Sequence, residues 1–76
     1  MQGSINMPVY KYIELVGTSD KGWEDAVRTA VKEAAKTVRN IVRVEIEELF
    51  AEVENGEVKE YKARVKVLFL VERPSS

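Results

Sequence analysis

The chain has 76 residues, no cysteine and no histidine, and its 12 basic and 13 acidic residues leave a net charge of −1. This composition excludes disulfides, thiolate metal sites and the commonest general base, and gives no overall pull toward nucleic acid or anionic lipid. A domain this short buries only roughly 60% of its unfolded surface, so oligomerisation is the remaining supplement to its core. No apolar run approaches the roughly 20 residues of a membrane span, and no basic start followed by an apolar stretch marks a signal peptide, which leaves the cytoplasm as the default location.

Residues 1–7 read as a leader, in which Gly3-Ser4 is a cloning scar or part of a native tail, the scar being favoured. One domain spans 8–72, opened by Pro8, which can start a strand but not sit inside one. Val9 to Val16 then alternates, with Val9, Ile13 and Leu15 on one side and Tyr10, Tyr12, Glu14 and Val16 on the other. Gly17-Thr18-Ser19-Asp20 ends this strand and offers several N-cap oxygens. Trp23, Ala26, Val27, Ala30, Val31, Ala34 and Val38 follow at helical spacing, an apolar stripe that stops near Asn40. Lys32, Glu33, Lys36 and Arg39 lie off the stripe, and Glu24 to Arg28 is an i,i+4 pair of favourable order. The alanines on the stripe let the helix lie close to a sheet, and Trp23 reads as core packing because it shares that stripe.

From Ile41 the period changes to two and holds to Val71, interrupted by Asn55-Gly56, a strong type I′ hairpin signal. With the turn centred there, Val42 faces Phe69, Val44 faces Val67, Ile46 faces Val65 and Phe50 faces Tyr61. On the other face Glu45 meets Lys66 and Glu47 meets Arg64. A one-residue slip would set apolar against charged side chains, so the register is well determined. The fold class is α+β in the order β-α-β-β: a three-stranded antiparallel sheet wrapped around one helix, which crosses the face of Val42, Val44, Ile46, Val65, Val67 and Phe69. One helix cannot cover arms this long, and uncovered strands invite another chain. A closed homo-oligomer is the expected outcome. Residues 73–76 read as a disordered tail.

Other chemistries find little support. Glu45, Glu47, Glu48, Glu52, Glu54 and Glu57 lack calcium-loop spacing, and the register sets basic residues opposite Glu45 and Glu47, so they read as a cross-strand ion-pair ladder rather than a metal or acid–base site. Thr18 and Ser19 have no base to activate them and read as caps. Gly17 and Gly22 form no dinucleotide-binding fingerprint. Lys59, Lys62, Arg64 and Lys66 make a basic row with only Tyr61 beside it, opposed by glutamates, which argues against a single-strand nucleic-acid platform. The chain reads as non-enzymatic.

Specific residues carry a family resemblance. Val9-Tyr10-Lys11-Tyr12-Ile13-Glu14-Leu15-Val16-Gly17-Thr18-Ser19 resembles the first strand and turn of dodecins. Lys36-Thr37-Val38-Arg39-Asn40, Val42-Arg43-Val44-Glu45-Ile46, Lys59-Glu60-Tyr61 and Val67-Leu68-Phe69 follow in the same order and spacing, so that the resemblance runs from Val9 to Val71. It implies a sheet wrapped around its helix, a hollow homododecamer of cubic symmetry, and flavin storage between subunits, with FMN or riboflavin as cofactor and coenzyme A as a further ligand in some bacterial members. It also implies where ligands would be met. Arg43 matches the tryptophan that stacks on the flavin ring, and Lys62, after Tyr61, matches the glutamine at the ring edge. Phe50 matches an arginine for the flavin side chain or phosphate, and Leu70 one linked to coenzyme A; Glu45 lies beside Arg43.

A flavin between indoles gains stacking and apolar burial. Arginine can stack on a ring, yet paired Arg43 side chains with Lys62 suit a phosphate or carboxylate better. The plainer reading pairs Arg43 with Glu45 or Glu47 of a neighbouring subunit. The expectation is a dodecin-like binding or storage protein with flavin binding weak or lost; the alternative is a purely structural homo-oligomeric shell.

Overall fold

A computed structural model describes residues 7–72; the leader up to residue 6 and the tail at 73–76 lie outside them. The elements are β1 (Tyr10–Ser19), α1 (Trp23–Ala34), β2 (Ile41–Glu54) and β3 (Glu57–Leu70). The sheet order is β1-β3-β2, and both neighbours run antiparallel to β3. The hairpin turn follows from Asn55 at φ 53° and Gly56 at φ 76°, both in the left-handed region that a type I′ turn requires. Val71 N–H donates to Val9 O at 2.8 Å and extends the β1–β3 ladder past its last paired residues.

Bulges shift the register of the hairpin. Val44 faces Val67, Ile46 faces Val65 and Glu45 faces Lys66 as the alternation requires. Irregularities at Ile41/Arg43, Ile46/Glu48 and Glu52/Val53 move the other pairs. Ile41 rather than Val42 faces Phe69, Glu48 rather than Glu47 faces Arg64, and Ala51 rather than Phe50 faces Tyr61. Each bulge adds an unpaired residue and increases the twist, which is how a ribbon this long curls.

The helix therefore covers less than the alternation suggests. Its buried side chains are Ala26, Ala30 and Ala34, set against Ala63, Val65 and Val67 of β3. Ile13, Leu15, Val27, Ile41 and Val44 pack around them. Val42 is 56% exposed because the bulge hands its place to Ile41, and Ile46 is 54% exposed at the edge of the covered zone. The helix also ends earlier than its stripe: α1 closes at Ala34, turns through Val38, whose N–H donates to Ala34 O at 2.9 Å, and leaves by Asn40 at φ 64°. Gly22 is the N-cap, without a side-chain cap bond. Ser19 instead shapes the loop, its Oγ donating to Asp25 Oδ2 at 2.7 Å and accepting from Lys21 N–H at 2.9 Å.

Gly17 sets the distance between helix and sheet. A Cβ there would strike the Ala26 carbonyl oxygen and lie 2.9 Å from Ala30 Cβ. Gly17 also faces Ala63 in the ladder, so four small residues share the contact. Overpacking of this kind ordinarily costs about 1–3 kcal/mol, and a backbone oxygen cannot step aside as a flexible side chain can. Gly17→Ala is expected to lose at least about 2 kcal/mol in urea melts. Gly22→Ala, with open space around it, should lose no more than the ~1 kcal/mol of a poorer cap.

Candidate functional site

The face of the sheet turned away from α1 carries the polar half of each strand. Alternation places Lys62, Arg64, Lys66 and Leu68 there, because Ala63, Val65 and Val67 are buried on the helix side. Both neighbours of β3 complete the rows. Tyr12 and Arg43 flank Leu68, Glu14 and Glu45 flank Lys66, and Val16 and Glu48 flank Arg64. Glu14, Glu45 and Glu48 thus flank the basic central strand at its Lys66 and Arg64 rows.

Within these rows one cluster is closed. Arg43 Nε lies 3.3 Å from Glu45 Oε2, and Tyr12 Oη donates to the same oxygen at 2.6 Å. Lys66 Nζ sits 5.9 Å from the Tyr12 ring centroid. The bond to Glu45 holds the Tyr12 phenol above its ordinary range, reinforced by burial and by the Glu45 charge, while Arg43 pulls the other way. Next to this cluster Tyr10, Val42, Arg43 and Leu68 line an open concavity of about 380 Å³. Arg64 bridges Glu14 at 2.9 Å and Glu48 at 3.3 Å, and its guanidinium is held charged by both, Glu14 most strongly.

The five positions named from the sequence do not form one pocket in a single chain. Arg43 and Glu45 meet, as an intrachain pair. Leu70 lies opposite Tyr10, its N–H donating to Asn40 O at 3.0 Å. Phe50 and Lys62 face one another six residues down β3 from Leu68, roughly 20 Å away at the rise of a strand. Lys62 Nζ lies 3.7 Å from Glu60 Oε1.

Phe50 offers its carbonyl, which accepts from Trp23 Nε1 at 2.8 Å. Trp23 is also no core residue. It is 40% exposed and stands edge-on to Tyr61, ring centroids 5.0 Å apart at 78°, pinning the start of α1 to the hairpin. Sequence reasoning missed Tyr12 and Tyr10, although two tyrosines on the non-core side of β1 were the visible signal. Among the described residues no group of three or more carboxylates gathers as a metal cluster.

The sequence profile of the dodecin family matches residues 9–72. The chain belongs to the dodecin family. A curated dodecin of Thermus thermophilus is 41% identical over 64 residues, which cover 84% of this chain and 93% of that protein. A solved Thermus thermophilus protein superposes with a TM-score of 0.85 at 38% identity, covering 90% of this chain and 100% of its own. A dodecin from Streptomyces coelicolor does so with a TM-score of 0.87 at 31% identity, covering 92% and 100%. The β-α-β-β architecture is that of the solved dodecins, and this dodecin carries Arg43, Glu45 and Tyr12 as a bonded set within it.

The Tyr12–Glu45 bond has a pH signature. A phenol whose pKa is raised on folding contributes stability that is complete below its unfolded value of about 10 and is lost as pH climbs through the folded value. Ultraviolet titration of Glu45→Gln should therefore show one tyrosine ionising at lower pH than in the parent chain. The stability difference between the parent and Tyr12→Phe should shrink as strongly alkaline pH is approached.

Proposed function

We propose that this dodecin is a self-assembling, non-enzymatic small-ligand binding or storage protein, a homo-oligomer of twelve copies, in which binding of FMN or riboflavin is weak or lost. The observation that carries the reading is the state of Arg43. It stands where the family resemblance puts a ring-stacking tryptophan, and its guanidinium is already engaged by Glu45, itself held by Tyr12. A flavin seated there would give up the apolar stacking partner and would have to break or bypass a formed ion pair. A junction bringing Arg43 side chains and Lys62 together would crowd positive charge around a neutral ring.

Assembly is supported by shape. The radius of gyration is 16.7 Å, against about 11 Å for a compact chain of this length, and the described molecule extends 64 × 20 × 13 Å. Val65 and Val67 are its largest fully buried side chains, too little core for a solitary domain. No helix among the described residues is long and apolar enough to cross a membrane.

The closed Arg43–Glu45–Tyr12 set also favours a second reading, a structural shell without ligand. Titration with riboflavin and FMN should leave flavin fluorescence unquenched at submicromolar ligand, and tight quenching would refute the proposal. Arg43→Trp with Lys62→Gln should raise flavin affinity at least about tenfold, roughly the 1.4 kcal/mol of one recovered aromatic contact. For Arg43→Ala, light scattering separates the two readings. Loss of the oligomer supports the structural role, whereas an intact oligomer with lost anion affinity supports a ligand site.

A further inference from the structure

We propose that Tyr12 is a positioning residue that acts through Glu45 to keep the Arg43 guanidinium from gripping a small aryl carboxylate in the adjoining concavity. The inference rests on the reading of Arg43 given above and names the class of anion that a released guanidinium takes.

Glu45 has two cations to choose from. Lys66 stands directly opposite it in the ladder, where opposite charges ordinarily pair. Arg43 lies two residues back on the same strand face. The carboxylate takes Arg43, whose Nε is 3.3 Å from Glu45 Oε2, and among the described residues Lys66 makes no ion pair. The other glutamate flanking Lys66, Glu14, is held by Arg64 at 2.9 Å. The Lys66 ammonium rests instead 5.9 Å from the centroid of the Tyr12 ring.

The Tyr12 hydroxyl tips this choice. Tyr12 and Arg43 both flank Leu68, whereas Glu45 flanks Lys66, so a bond from the phenol draws the carboxylate toward Arg43. That bond is short, Tyr12 Oη donating to Glu45 Oε2 at 2.6 Å. A hydrogen bond to an ionised acceptor is roughly twice as strong as a neutral one. The ion pair alone is weak, because the Arg43 and Glu45 side chains are 60% and 35% exposed. Without the hydroxyl the carboxylate turns to Lys66, and Arg43 loses the one counter-ion it has among the described residues. Arg43 lines the concavity of about 380 Å³ together with Tyr10, Val42 and Leu68. A phenol ring and two aliphatic walls suit an aromatic ring, and a guanidinium suits its carboxylate through two parallel hydrogen bonds.

Tyr12→Phe removes the hydroxyl and keeps the ring beside Lys66. Calorimetric titration of the full chain with benzoate, and with benzamide as its uncharged counterpart, reads the effect. Tyr12→Phe is expected to bind benzoate at least about tenfold more tightly than the parent, with benzamide affinity unchanged. Glu45→Gln leaves the phenol an acceptor but gives Arg43 no charge, and should show the same gain. Arg43→Gln in the Tyr12→Phe chain should abolish it. A general loosening of the strand would raise both ligands together. Equal benzoate affinity in the parent and both single variants, equal gains for benzoate and benzamide, or a gain that survives Arg43→Gln overturns the inference. Flavin quenching by the parent chain tests the underlying reading separately, since tight quenching would overturn that reading whatever benzoate does.

Discussion

Everything in this fold depends on how closely the helix can approach the sheet at Gly17. The Ala26 carbonyl occupies the space a side chain would need, and Ala30, Ala34 and Ala63 keep the surrounding contact thin. A thin contact buries little apolar area per residue, at roughly 25 cal/mol per Å². It cannot stabilise fourteen-residue arms on both sides of the hairpin turn. The cost of close approach is a small core, and that small core is why the long ribbon has to find cover elsewhere.

The element order, the type I′ turn and the antiparallel hairpin were legible because each has a local cause: helical spacing, two residues able to take positive φ, and strict alternation. The register was legible only in its middle. Val44, Glu45 and Ile46 face the partners that alternation gives them, while Glu48 and Ala51 replace Glu47 and Phe50 after the bulge near Ile46. No residue type in that stretch announces an extra residue, since neither glycine nor proline stands there. Trp23 was misplaced for a related reason. Helical spacing puts it on the stripe, but the stripe outruns the sheet, so its indole serves the hairpin edge by donating to Phe50 O and standing against Tyr61.

The site was half legible. Alternation put Arg43 and Glu45 on one face, and they form an ion pair within the chain. What the pattern could not supply was Tyr12. Its place beside Arg43 depends on β1 pairing with β3 on the side opposite β2, a topological choice that no local signal encodes. Once β3 is central, Leu68 becomes the row on which Tyr12 and Arg43 sit as flanking neighbours, and a carboxylate one row along can bind both.

That topology also couples assembly to ligand chemistry. A central strand bearing Lys62, Arg64 and Lys66 would repel itself across any junction between copies if left bare. The flanking glutamates neutralise it within the chain, most firmly at Arg64, which two carboxylates hold. A neutral face can approach its own image without electrostatic penalty, whereas a face built to grip a phosphate cannot. The more completely Arg43 and its row are satisfied internally, the better this surface serves as a subunit junction and the less attraction it retains for a charged guest. Arg43 therefore sits at the point where the two demands conflict, and its ion pair with Glu45 satisfies its charge within the chain.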